Sequence, residues 1–162
     1  MSLKLIEKSP YVSVKETKSL DPINLFTQFY IPENLQRLYE LQTTLKYNVN
    51  NAHINKIYLF NERIYRDTEL GINSNKIRQI NIGKRLKFSD FFNYTQNNNI
   101  KGFNILINAD IFFDETLYNL NKSDIDISKK MFALLRYEYR DERHLSSCCL
   151  FGSTEYFQRT NK

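Results

Sequence analysis

Between Ile100 and Ile107 the chain reads IKGFNILI, a near-continuous apolar run that opens directly onto the polar triplet Asn108-Ala109-Asp110. A run of this length and composition suits a central strand covered on both faces, as the strands of parallel sheets are. It therefore constrains the fold class more than any other segment. Asp110 is the only charged residue between Lys101 and Asp114, and a carboxylate at the end of a buried strand is costly without a partner.

The other elements follow from periodicity. Leu25 to Ile31 is aromatic-rich and bounded by Pro22 and Pro32, which predicts a first strand. Leu35, Leu38, Leu41, Leu45 and Val49 recur at helical spacing, with Glu33, Gln36, Arg37, Glu40 and Lys46 on the opposite face, and the helix is expected to stop in Asn48-Val49-Asn50-Asn51. Strands are expected over Ile54–Phe60 and Ile77–Ile82, joined by a loop through 61–67 and the turn-rich stretch 71–75. Ser89-Asp90 reads as a helix cap before Phe91, Phe92 and Tyr94, and Asp114 as the start of a short helix. Met131–Tyr139 reads as a last strand leaving the core.

Strands interleaved with helices imply an α/β fold, a mostly parallel sheet flanked by helices. The 162 residues suffice for one domain, 22–162, behind an N-terminal arm, 1–21, that closes at Asp21-Pro22. Hydrophobic residues at 41% and charged residues at 25% exclude a disordered tail or a membrane protein. No transmembrane run or secretory leader is visible, so a cytoplasmic location is expected. The adjacent Cys148 and Cys149 offer no disulfide framework and are read as reduced thiols. His53 and His144 read as surface or packing residues.

The net charge of +5 suits an anionic partner but is spread along the chain. A basic nucleic-acid-binding domain remains an alternative, which the lack of any element interleaving basic and aromatic residues argues against.

In parallel α/β sheets, ligands bind beyond the carboxyl ends of the strands. Those ends carry Tyr30, then Asn61-Glu62-Arg63, then Gly83-Lys84-Arg85, then Asn108-Ala109-Asp110. Aromatic, cationic and carboxylate groups on one rim are the mixture that a base, a diphosphate and a divalent metal require. In extended backbone, Asn108 and Asp110 would point the same way, one toward a sugar hydroxyl and the other toward a metal. The bland alternative is that Asp110 caps a turn through its own backbone.

The string Ile105-Leu106-Ile107-Asn108-Ala109-Asp110-Ile111-Phe112-Phe113 resembles the metal and nucleotide motif of GT-A-type glycosyltransferases. Phe29-Tyr30-Ile31-Pro32, Asn61-Glu62-Arg63-Ile64-Tyr65 and Asn81-Ile82-Gly83-Lys84-Arg85 extend the likeness, to glycosyltransferase-like proteins of viral or environmental origin, over about residues 23–140. The resemblance implies a Rossmann-like GT-A-type sheet and a nucleotide-sugar donor with Mn2+ or Mg2+. Asp110 would be the metal ligand and Asn108 would lie near the donor ribose. Lys84 and Arg85 would meet the diphosphate, with Tyr30 near the base and Arg63 on the same rim. The implied activity is hexosyl-type transfer to an unknown acceptor.

Two departures qualify this. Asn108 stands where the family has its first carboxylate, and the chain stops at Lys162, where the family's enzymes continue into an acceptor-binding half. A non-catalytic nucleotide-binding fragment or pseudoenzyme is therefore the alternative expectation.

Overall fold

The computed structural model describes residues 20–123 together with the backbone of Cys148–Cys149. Its organising feature is alternation along two strands, β1 (Ile23–Thr27) and β2 (Ile54–Asn61). Ile23, Leu25, Ile57 and Leu59 face one way and pack with Leu41, Leu45 and Val49 of helix α1 (Leu35–Asn50). Phe26, Tyr58 and Phe60 face the other way, against Phe91 of helix α3 (Phe88–Asn97). Both faces of these strands are thus apolar, and both are covered by helix, as a parallel sheet demands.

Between β2 and α3 the chain forms a short helix, α2 (Asp67–Leu70), and strand β3 (Ile77–Asn81). After α3 comes strand β4 (Phe103–Leu106). The sheet order is β3-β2-β1-β4, and every neighbouring pair is parallel. This bears out the expected α/β class with a parallel sheet flanked by helices. β1 to β3 step toward one edge, and then the chain crosses back to place β4 on the far side of β1.

That crossing corrects the place of the apolar run. β4 is half-buried at all four positions and, among the described residues, lies at the edge of the sheet, whereas β1 is buried throughout. Only Phe103–Leu106 is strand because Gly102 turns just before it at φ +87, where a Cβ would lie 2.0 Å from the Pro22 carbonyl oxygen. Ile100 packs instead with the aromatic cluster on the α3 side.

Other boundaries shift for local reasons. β1 ends at Thr27 rather than Ile31, because the Phe29 N–H turns to the Asn61 side chain instead of a strand partner. β2 runs on to Asn61, and the polar segment after it contains α2. Asp90 does not cap from the first position. It is the third residue of α3, and its carboxylate accepts the Lys87 N–H at 3.0 Å. Asp114 does cap, accepting the Thr116 N–H at 2.9 Å ahead of a 3-10 turn, Glu115–Tyr118, that runs into α4 (Asn119–Lys122).

After β4 the chain turns and runs along α1. Asn48 donates to the Ile111 carbonyl at 2.9 Å and accepts the Phe113 N–H at 3.0 Å, so one buried amide serves the backbone as a neighbouring strand would. Asn51 donates to the Phe113 and Asp114 carbonyls. The asparagines expected to end α1 thus also tie down strand β5 (Phe112–Phe113), which pairs in parallel with β6 (Cys148–Cys149). The arm to residue 19, the Met131–Tyr139 strand, His144 and the state of the two thiols lie outside the described residues. No helix among the described residues is long and apolar enough to cross a membrane.

Candidate functional site at the carboxyl end of the sheet

Because the strands are parallel, the loops after β1, β2, β3 and β4 emerge at one end of the sheet. The reversal of strand order falls between β1 and β4, so the loops after these two strands are neighbours at that end, and both lead to the α1 face of the sheet. Tyr30 lies on the first of these loops and Asn108-Ala109-Asp110 on the second. The long crossover, rather than sequence proximity, makes them neighbours.

The triplet is not extended. The backbone turns through Ala109 and Asp110, and the Ile111 N–H reaches the Asn108 carbonyl at 3.2 Å. Asn108 is exposed, while the Asp110 side chain is 19% exposed. The expected shared direction of the two side chains fails because β4 ends at Leu106, before they are reached.

Asp110 instead meets Arg37 of α1, with Oδ2 at 2.8 Å from a terminal guanidinium nitrogen. The other terminal nitrogen of Arg37 donates to Glu40 at 2.9 Å. Hydrogen bonding to Asp110 chiefly, and to Glu40 and Tyr30, raises the Arg37 pKa further above its ordinary value against the opposing effect of burial. One guanidinium therefore joins the first turns of α1 to the turn after β4. Sequence reading had placed Arg37 and Glu40 on the solvent face of α1. A signal was available, since Arg37 is a cation in the first turn of a helix, where the macrodipole disfavours positive charge, and α1 has no acidic residue there.

The remaining rim residues divide. Arg63 pairs with Glu69 at 2.7 Å and lies 4.0 Å over the Tyr65 ring. Tyr65 in turn meets Phe29 edge-on at 5.2 Å. Arg63 therefore sits beside the loop after β1, through Tyr65 and Phe29. Lys84 pairs with Asp90 at 2.7 Å, and Arg85 is exposed on the same loop. That loop is drawn to the end of β1 by Gln28, which donates to the Lys84 carbonyl at 3.2 Å and accepts the Leu86 N–H at 3.2 Å. Lys84 and Arg85 thus approach from the α3 side, while Arg37 and Asp110 stand on the α1 side.

Beneath the loops lies an amide lock. Asn61 is fully buried, accepts the Phe29 N–H at 2.9 Å and donates to Gln79 Oε1 at 3.2 Å. Gln79 closes on both backbone groups of Tyr65. Neutral side chains thus fix the shape of the rim, and charged ones decorate it.

Two features bear on a divalent ion. Asp110 and Glu40 converge on a single cationic group, a donor set of hard oxygens that suits a cation. At the last residue of β1, Thr27 Oγ1 is buried with no hydrogen-bond partner. No three of His, Cys, Asp and Glu gather among the described residues. An ion held here would accordingly use one or two carboxylates and complete its shell with ligand oxygens, the usual arrangement for Mg2+. Comparison of the chain with family models, curated proteins and solved structures found no match.

Proposed function

We propose that this domain binds a nucleotide-diphosphate sugar at the carboxyl end of its sheet, in a Rossmann-like GT-A-type arrangement, and acts as a glycosyltransferase-like protein. One observation carries the reading. The reversal of strand order sets the Tyr30 loop beside the Asp110 turn, and Arg37 of the helix that follows that loop holds Asp110. The carboxyl ends of the strands are where open α/β sheets take ligands.

In this reading Tyr30, 37% exposed, offers its ring to the base, and Asn108, exposed at the turn after β4, offers its amide to the ribose. Lys84 and Arg85 meet the diphosphate from the α3 side. Arg63 lines the neighbouring wall. Asp110, with Glu40 close by on the same guanidinium, would hold Mn2+ or Mg2+. The ion would supply positive charge against the diphosphate leaving group.

The test is calorimetric titration of uridine and guanosine diphosphates in the presence of Mn2+. Metal-dependent binding that falls at least about tenfold on Asp110→Ala, a loss of roughly 1.4 kcal/mol, is expected. Absence of binding, or binding indifferent to Asp110, would sink the reading.

A second reading, binding without transfer, has its own support. Asp110 and Glu40 both accept from Arg37, so these two carboxylates are already engaged and poorly placed to take a proton from an acceptor hydroxyl. Incubation of the protein with nucleotide sugars and Mn2+, followed by mass spectrometry, separates the two. Release of free nucleoside diphosphate excludes the second.

A further inference from the structure

The net charge of +5 is not shared evenly along the chain. Between Gly71 and Ala109 stand Lys76, Arg78, Lys84, Arg85, Lys87 and Lys101 against a single carboxylate, Asp90. This stretch alone accounts for +5, and the rest of the chain is balanced. It folds as β3, α3 and β4, and α3 covers the Phe26 face of the sheet. Lys76 is engaged elsewhere, on the Val49 and Asn51 carbonyls at the end of α1. Arg78 is exposed and stands in register with Tyr58, on the α3 face. Asp90 is held by Lys84 and by the Lys87 N–H, which leaves Arg85 and Lys87 as exposed cations at the start of α3.

The same segment exposes aromatic rings. Phe88 is 73% and Phe92 46% exposed, whereas Phe91 is buried. Phe91 and Tyr94 pack toward the sheet, so Phe88, Phe92 and Gln96, each one turn from the next, share the outer side of α3 with Ser89 and Asn93. All of these outer residues are exposed. Cations thus lead into the helix, rings occupy its first turns, and amides follow. The interleaving of basic and aromatic groups becomes visible once the helical phase is known.

We propose that this outer face of α3 binds single-stranded nucleic acid. Phe88 and Phe92 stack bases, Arg85 and Lys87 hold phosphates, and Asn93 and Gln96 offer donors and acceptors to base edges. Arg78 and Lys101 extend the positive field that draws the strand in. A single strand carries phosphates and unpaired ring faces together, which is what cations beside exposed rings complement. An anionic bilayer fits less well. Seating Phe92 among acyl chains would take the neighbouring Asn93 and Gln96 amides out of water without partners. Nor is any large aliphatic side chain of the stretch exposed to add to insertion.

Lys84 and Arg85 also serve the donor-site reading, so the variants are taken at Lys87, Phe88 and Phe92. The measurement is fluorescence anisotropy of labelled oligouridylate and oligothymidylate of about twelve nucleotides, titrated with the full chain. Binding that weakens as salt rises is expected. Phe88→Leu and Phe92→Leu, which keep apolar bulk but lose the ring, should each bind at least about fivefold more weakly, and Phe88→Tyr should match wild type. Lys87→Gln should lower the salt slope by about one, whereas Lys46→Gln, at an exposed cation of α1, should leave it unchanged. No binding to either oligonucleotide, Phe88→Leu equal to wild type, or equal effects at Lys46 and Lys87 overturns the proposal. Equal affinity for a duplex overturns it as well, because paired bases offer no free ring faces. So does sedimentation with phosphatidylserine-containing vesicles when neither oligonucleotide binds, which puts a membrane in place of nucleic acid. Failure of uridine diphosphate to bind sinks the donor-site reading and leaves the α3 face untouched.

Discussion

The two ends of the sheet solve the same problem with different chemistry. At the amino end, asparagine amides tie the strand ends together. Asn24 donates to the Lys101 carbonyl, Asn55 donates to Asn24, and Asn104 donates to the Ile100 carbonyl. Lys76 there donates to the Val49 and Asn51 carbonyls at the end of α1, satisfying helix-end acceptors rather than a carboxylate. At the carboxyl end, Asn61 and Gln79 repeat the amide device. Every ion pair between described residues is added there as well: Arg37 with Glu40 and Asp110, Arg63 and Arg66 with Glu69, and Lys84 with Asp90. Amides hold the backbone in place at both ends, whereas the ion pairs among the described residues lie at the carboxyl end. Exposed pairs contribute little to stability.

The contrast can be broken most directly at Asn61. Replacing it with alanine strands the Phe29 N–H in a buried position, and urea denaturation should show a loss of about 2–3 kcal/mol. Asn24→Ala at the opposite end, where the network is partly buried, should cost about 1–2 kcal/mol by the same measurement. Arg37→Gln should cost less than about 1 kcal/mol despite removing two ion pairs, because both partners are partly solvated. If it destabilises more than Asn61→Ala does, the charges at the carboxyl end are structural and the contrast collapses.

The smallest effect concerns acid. Arg63, and the Arg66 backbone after it, hold the Glu69 carboxyl down to about 2. A carboxylate with a depressed folded pKa stabilises above its unfolded value, near 4.3, and this contribution fades as pH falls toward 2. The difference in urea midpoint between wild type and Glu69→Gln should therefore be constant above about pH 5 and shrink below pH 4.

Local pattern carried most of the element assignments because each depends on neighbours in sequence. Leu41, Leu45 and Val49 lie on one side of a helix whatever surrounds them, and they do form its buried stripe. Gly102 shows where pattern fails. IKGFNILI reads as one strand until the Pro22 carbonyl, eighty residues away in sequence, takes up the space beside the glycine. The same holds at the site. Asp110 was legible as a lone carboxylate in need of a partner, but the partner was not, because Arg37 lies 73 residues earlier on what reads as a solvent face.

By itself, then, the sequence determined the order of helices and strands, the parallel layering and the polar rim at the strand ends, all consequences of side-chain period and local backbone preference. Tertiary structure alone decided that β4 lies beside β1, at the edge of the sheet among the described residues, and that the turn after it is joined to α1 by Arg37. Strand order is settled by competition among long-range pairings, which leave no periodic trace in the chain. An ion pair across 73 residues exists only once that competition has been won.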